Sequence, residues 1–87
     1  MQMPKLMSSP EPLYPAAARE RSLEGVVLLD AFVDAKGNVA EVKVISGPLL
    51  LQQAAADALR RWKYQPARLD GQPIAVHTQV SVSFKIR

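Results

Sequence analysis

The clearest pattern in the chain lies near its end. Ile74, Val76, Thr78, Val80, Val82, Phe84 and Ile86 alternate there with Ala75, His77, Gln79, Ser81, Ser83, Lys85 and Arg87. A period of two marks a strand with one face on a core and the other in solvent, so this stretch predicts one long, continuous final strand. Val26–Asp34 has the same period: Val27, Leu29, Ala31 and Val33 form a wholly apolar face, and Val26, Leu28, Asp30 and Phe32 a mixed one. Asp34-Ala35-Lys36-Gly37-Asn38 predicts a turn with Gly37 at a positive φ. Val39–Ile45 predicts the return strand, with Val42 and Val44 inward and Glu41 and Lys43 outward. Together these two strands form a β-hairpin.

Two stretches switch to helical spacing. Pro15 begins the first, since proline suits the start of a helix and Ala16–Arg21 are good helix formers. Tyr14 and Ala18, four apart, share its core side, and Gly25 clears the helix before the next element. The second runs from Leu50 to Arg61, with an apolar stripe of Leu51, Ala55, Ala58, Leu59 and Trp62. Arg60 and Arg61 sit at its C-terminal end, where cations favour the helix dipole. Trp62-Lys63-Tyr64-Gln65-Pro66 alternates aromatic and polar, which predicts extended chain with both rings inward, and Asp70-Gly71 predicts a turn. The order helix–strand–strand–helix–strand implies an α+β fold of two layers: a three-stranded antiparallel sheet with both helices on one face.

Composition sets the scale. With 87 residues, 48% of them apolar, the chain is one small domain with a modest core. Four of its seven prolines fall within the first 15 residues, so residues 1–13 are expected to be an extended, proline-rich lead-in and residues 14–87 the domain proper. The longest runs without Asp, Glu, Lys or Arg, Val44–Ala56 and Gly71–Phe84, are 13 and 14 residues, against roughly 20 for a spanning helix. Met1–Ser9 lacks the apolar stretch of a signal peptide. The chain reads as a domain excised from a longer protein. There is no cysteine, which excludes a disulfide framework and thiolate metal sites. The net charge of +3 is mild, well short of a dense nucleic-acid-binding patch.

Few residues invite catalysis. The single histidine, His77, falls on the solvent face of the last strand with no acid or second ligand supplied by the pattern, so it reads as an ordinary surface residue. Ser8 and Ser9 lie in the lead-in, and Ser81 and Ser83 point outward from a strand. None sits on the sharp elbow of a nucleophile. Asp30, Asp34 and Glu41 read as solvated carboxylates around a hairpin. The 34–38 loop resembles a calcium loop only faintly, lacking the distal glutamate and carrying Lys36. No enzyme, metal site or cofactor is expected. Arg60, Arg61, Lys63 and Arg68, interleaved with Trp62 and Tyr64, invite a nucleic-acid reading, but rings that complete an apolar stripe read better as core than as stacking platforms.

The last strand offers more. Joined to one side of the hairpin, it leaves an edge of unpaired N–H and C=O groups over about ten residues. Such an edge either docks an extended peptide or is covered, here by the lead-in or by a dimer partner.

The string of motifs resembles one family. Tyr14-Pro15-x-x-Ala18-Arg19, Glu24-Gly25-Val26-Val27, Val33–Val39, Ala58–Ala67 and Asp70-Gly71-Gln72-Pro73, in this order on these elements, are similar to the TonB C-terminal domain family over nearly the whole chain. The resemblance implies the periplasmic domain of an energy transducer. Its inner-membrane helix, absent from this chain, would work with ExbB and ExbD, and a proline-rich linker would cross the periplasm. It implies that the domain grips the TonB box, a short peptide of an outer-membrane transporter, by strand addition. Carried over by position, Tyr14 and Pro15 match the Tyr-Pro motif near the box groove. Val76–Ile86 matches the peptide-pairing strand, with Val76, Thr78, Gln79, Val80, Ser81, Val82, Ser83 and Phe84 as its expected partner-binding residues. Better-known members place a glutamine-proline pair before Tyr-Pro, where Glu11-Pro12 stands here. They also often have a large inward residue at Ala31 and a polar one at Phe32, so either the register differs or Phe32 is exposed at an oligomer contact, such as a homodimer. The family domain occurs in sensor and peptidase fusions too, which leaves three readings: transporter-box binding, another envelope or cell-wall interaction, and nucleic-acid binding.

Overall fold

The hairpin forms because alternation and turn chemistry agree. In the computed structural model, which describes residues 1–86, β1 (Lys5–Ser8) and α1 (Ala16–Glu20) precede it. The hairpin itself is β2 (Gly25–Val33) and β3 (Val39–Ser46). The Asp34 carboxylate accepts the Lys36 and Asn38 backbone N–H groups at 2.9 Å each, an Asx turn that holds the loop shut. Gly37 adopts φ +86°. A Cβ there would fall 1.9 Å from the Tyr64 carbonyl oxygen, so glycine is required for both reasons.

α2 (Leu49–Arg60) follows, then β4 (Lys63–Gln65), β5 (Ala67–Leu69), β6 (Gln72–Ile74) and β7 (Val76–Phe84). The main sheet has the order β3-β2-β7 and is antiparallel throughout, with the two helices packed on its apolar side. That is the expected α+β architecture. Val27, Leu29, Ala31 and Val33 are fully buried, meeting Leu51, Ala55 and Leu59 of α2 and Val82 and Phe84 of β7. Burying each of these valine and leucine side chains stabilises the fold by about 1.5–3 kcal/mol before the cost of ordering it.

Two expectations need correction, and a third gains detail. The final strand is not continuous. It breaks at Ala75, because Gln72–Ile74 turns back through Asp70-Gly71 to pair with Ala67–Leu69, a local hairpin that period-two spacing cannot distinguish from a longer strand. The lead-in is extended, and it is tied to the domain: β1 pairs antiparallel with β4, and the Gln2 and Arg68 backbones exchange hydrogen bonds of 2.8 and 3.0 Å. The two aromatic residues also part company. Trp62 packs against the core cluster, whereas Tyr64 is half-buried in the small β1–β4 sheet, where burial pushes its phenol above the ordinary value.

Candidate functional site

β7 is the outer strand of the main sheet, paired with β2 over nine consecutive residues from Gly25↔Phe84 to Val33↔Val76 without a register shift. Its other edge has no strand partner among the described residues. Of the lead-in, one expected cover for that edge, Lys5–Ser8 pair with β4 instead, and only residues 11–13 lie beside the C-terminal end of β7.

Two hydrogen bonds fix which backbone groups face outward. The Asp34 N–H donates across the hairpin to the Asn38 carbonyl at 2.9 Å. Alternation back along β2 then turns the N–H groups of Phe32, Asp30 and Leu28 toward β3 and those of Val33, Ala31, Leu29 and Val27 toward β7. Their partners Val76, Thr78, Val80 and Val82 bond inward. The Ile86 N–H, of the same parity, donates toward the β2 side, to Glu24 Oε2 at 2.8 Å. The groups left for the open edge belong to His77, Gln79, Ser81 and Ser83.

At the C-terminal end of β7 the edge opens onto a groove of about 850 Å³. Glu11, Pro12 and Tyr14 line it together with Ser83 and Phe84, so five of the expected partner-binding residues converge on one cavity. The Tyr14 ring meets Phe84 edge-on, with centroids 5.6 Å apart and planes at 89°, and its hydroxyl donates to the Leu23 carbonyl. The other expected residues lie elsewhere. Pro15 is the N-cap of α1. Val82 is buried; Val76, Thr78 and Val80 are half-buried on the core side; and Gln79 and Ser81 are exposed on the outer side. Lys85 and Ile86, at the end of the expected peptide-pairing stretch, also line the groove, as do Leu13 and Arg19, which were not foreseen. Arg19 lies 5.6 Å over the Tyr14 ring, a pairing that its spacing of five from Tyr14 does not announce. Leu13 carried a signal: an apolar residue amid prolines, with no periodic partner.

His77 needs correction. An acid does meet it: its Nδ1 lies 2.7 Å from Asp30 Oδ2, and its ring packs on Phe32 at 4.8 Å between centroids. Asp30 belongs to the neighbouring strand, two positions from the Phe32↔His77 pair and on the same face, so only strand pairing brings the two together. Phe32 is half-buried by this contact on the outer sheet face. The basic cluster is largely engaged at short range. Arg60 pairs with Asp57 at 3.3 Å, Lys63 donates to Asn38 Oδ1 at 2.7 Å, and Arg68 donates to the Gly71 carbonyl at 3.0 Å. Among the described residues no group of three acidic, histidine or cysteine side chains is placed to hold a metal.

Known proteins share this sequence and this fold. The family model for the Gram-negative bacterial TonB protein C-terminal matches residues 10–86. Protein TonB of Vibrio cholerae is 37% identical over 86 residues, which cover 95% of this chain and 35% of that protein. Protein tonB2 of Pseudomonas aeruginosa is 38% identical over 82 residues, covering 92% and 30%. The chain thus spans about a third of the length of the curated relatives it matches. Among solved structures, the TonB2 protein of Vibrio anguillarum superposes with a TM-score of 0.68 at 33% identity, covering all of this chain and 85% of that one. The solution structure of the Pseudomonas aeruginosa TonB C-terminal domain gives 0.77 at 22% identity, covering 95% and 86%, a likeness of fold alone. By sequence and by fold, the chain belongs to the TonB C-terminal domain family.

Proposed function

We propose that this chain is the periplasmic, partner-gripping domain of a TonB-type energy transducer, and that it takes the TonB box of an outer-membrane transporter as a fourth strand on the open edge of β7. One observation carries the reading: a nine-residue edge without a register shift, unpaired on its outer side and opening at one end onto the Tyr14–Phe84 groove. Strand addition draws affinity from main-chain groups and specificity from pockets for alternate side chains, and this site offers both. A strand held by several parallel hydrogen bonds, each worth about 0.5–1.5 kcal/mol net, resists a pull along its length as a set. That suits a domain that passes tension to a partner. The tension would come from an inner-membrane segment working with ExbB and ExbD, outside this chain.

Titrating the isotope-labelled chain with a synthetic TonB-box peptide tests the proposal. Amide shifts are expected along Val76–Phe84, largest at His77, Gln79, Ser81 and Ser83. Shifts clustered on Arg60–Arg68 with β7 silent would overturn it. Concentration-dependent shifts on the same edge without peptide would assign the edge to a second copy of the chain.

A further inference from the structure

The groove has two walls of different kinds. One is β7, held by a full ladder to β2. The other is Pro10–Tyr14, which belongs to no helix or strand and contains two prolines, residues without an N–H to donate. Side-chain hydrogen bonds fasten both ends of this segment. At one end the Trp62 indole N–H donates to the Pro10 carbonyl at 3.0 Å, across 52 residues of sequence. At the other the Tyr14 hydroxyl donates to the Leu23 carbonyl. Between the two pins, Glu11, Pro12 and Leu13 line the groove. Leu13 is 79% exposed, an apolar side chain without cover beside an open strand edge.

We infer that Pro10–Tyr14 is a strap whose distance from β7 sets the width of the peptide groove, and that Trp62 is a positioning residue for the partner through its bond to Pro10. The inference rests on the strand-addition reading above. A proline-rich segment is stiff but cannot hold its own position by main-chain bonding; β1, paired with β4 up to Ser8, delivers its start, and the two pins set where Pro10–Tyr14 runs from there. The Tyr14 pin is backed by the ring contact with Phe84. The Pro10 pin depends on one indole nitrogen, carried by a ring that also packs on the core. A strand seated on β7 would cover Leu13, which gives that exposed side chain an apolar contact only in the complex.

The test uses the full chain and a fluorescently labelled TonB-box peptide. Trp62→Phe keeps an aromatic ring and removes the donor. The peptide is expected to bind about two- to tenfold more weakly, the range one hydrogen bond allows. The Glu11 and Leu13 amides should move in the free variant while the β7 amides keep their positions. Leu13→Ser alters a side chain outside the core, so it should leave the melting temperature unchanged and weaken the peptide by roughly tenfold. Trp62 is the chain's one tryptophan, so its indole N–H resonance reports the pin directly. It should exchange slowly with solvent and shift when peptide is added. If Trp62→Phe unfolds the chain, Leu13→Ser and the parent indole signal decide the matter. Parent-like affinity in Leu13→Ser with β7 still responding overturns the strap and leaves strand addition standing, as does a rapidly exchanging indole N–H that ignores the peptide. Absence of any β7 response in the parent overturns both.

Discussion

The sheet has two outer strands, and they are built differently. β3 shifts register twice against β2, between Leu28 and Leu29 and again between Phe32 and Val33. It carries Glu41 and Lys43 on its exposed face, and its hairpin end is capped where Asn38 bridges Lys63 and the Tyr64 N–H donates to the Gly37 carbonyl at 2.8 Å. Bulges, charges and a covering segment are the ordinary means of stopping an edge from pairing with another chain. β7 has none of the three. It runs nine residues in constant register, its outer face is mainly histidine, glutamine and serine, and α2 lies over β3 and β2 rather than over it. A three-stranded sheet must expose two edges. This one blunts the first and keeps the second straight, the difference the proposed strand addition requires.

The sharpest way to break that contrast is to interrupt β7 on its inward side. Val80→Pro removes an N–H that bonds β2 and should cost about 3 kcal/mol, a large share of a small domain's stability, visible as a collapse of the urea midpoint. The protected edge can be attacked next. Gly37→Val places a Cβ against the Tyr64 carbonyl at a φ unsuited to a branched residue and should cost about 2–3 kcal/mol. Amide exchange should accelerate at Asn38 and Tyr64 while the β7 amides stay protected.

Ser81→Pro sharpens the comparison at smaller cost. It deletes an N–H that faces the open edge, so stability should change by less than about 1 kcal/mol while box-peptide affinity falls by about tenfold. Equal damage to folding from Ser81→Pro and Val80→Pro would mean that the assigned parity is wrong. The smallest effect is expected at His77→Ala. The His77 side chain is 63% exposed, and an exposed pair of this kind contributes about 0.5 kcal/mol. The variant should melt nearly like the parent and bind the peptide with unchanged affinity, since His77 contributes its backbone, not its ring, to the edge.

Local rules made much of this legible. Alternation in Val26–Asp34 and in 76–84, the Asx-glycine turn at 34–38 and the apolar stripe from Leu51 to Leu59 each depend on residues within a few positions of one another, and each element formed within a residue or two of its expected bounds. The break at Ala75 was hidden because Ile74 and Val76 keep the same period on either side of it. Only the pairing of 72–74 with 67–69 shows that the chain turns away.

The sequence by itself determined the elements, the core face of each strand and the presence of one long amphipathic strand at the end, because side-chain periodicity is a local property of the backbone. Tertiary structure decided what that strand is next to. The choice of β2 as its neighbour left one edge open. The pairing of β1 with β4 took residues 5–8 away from that edge and left residues 11–13 beside its C-terminal end. Bonds from Trp62 to Pro10 and from Tyr14 to Leu23 set the opposite wall of the groove, and the meeting of His77 with Asp30 followed from register alone. These contacts join residues 9 to 52 positions apart, and no period along the chain encodes them. They are selected by which packing buries the apolar faces together, a property of the whole fold.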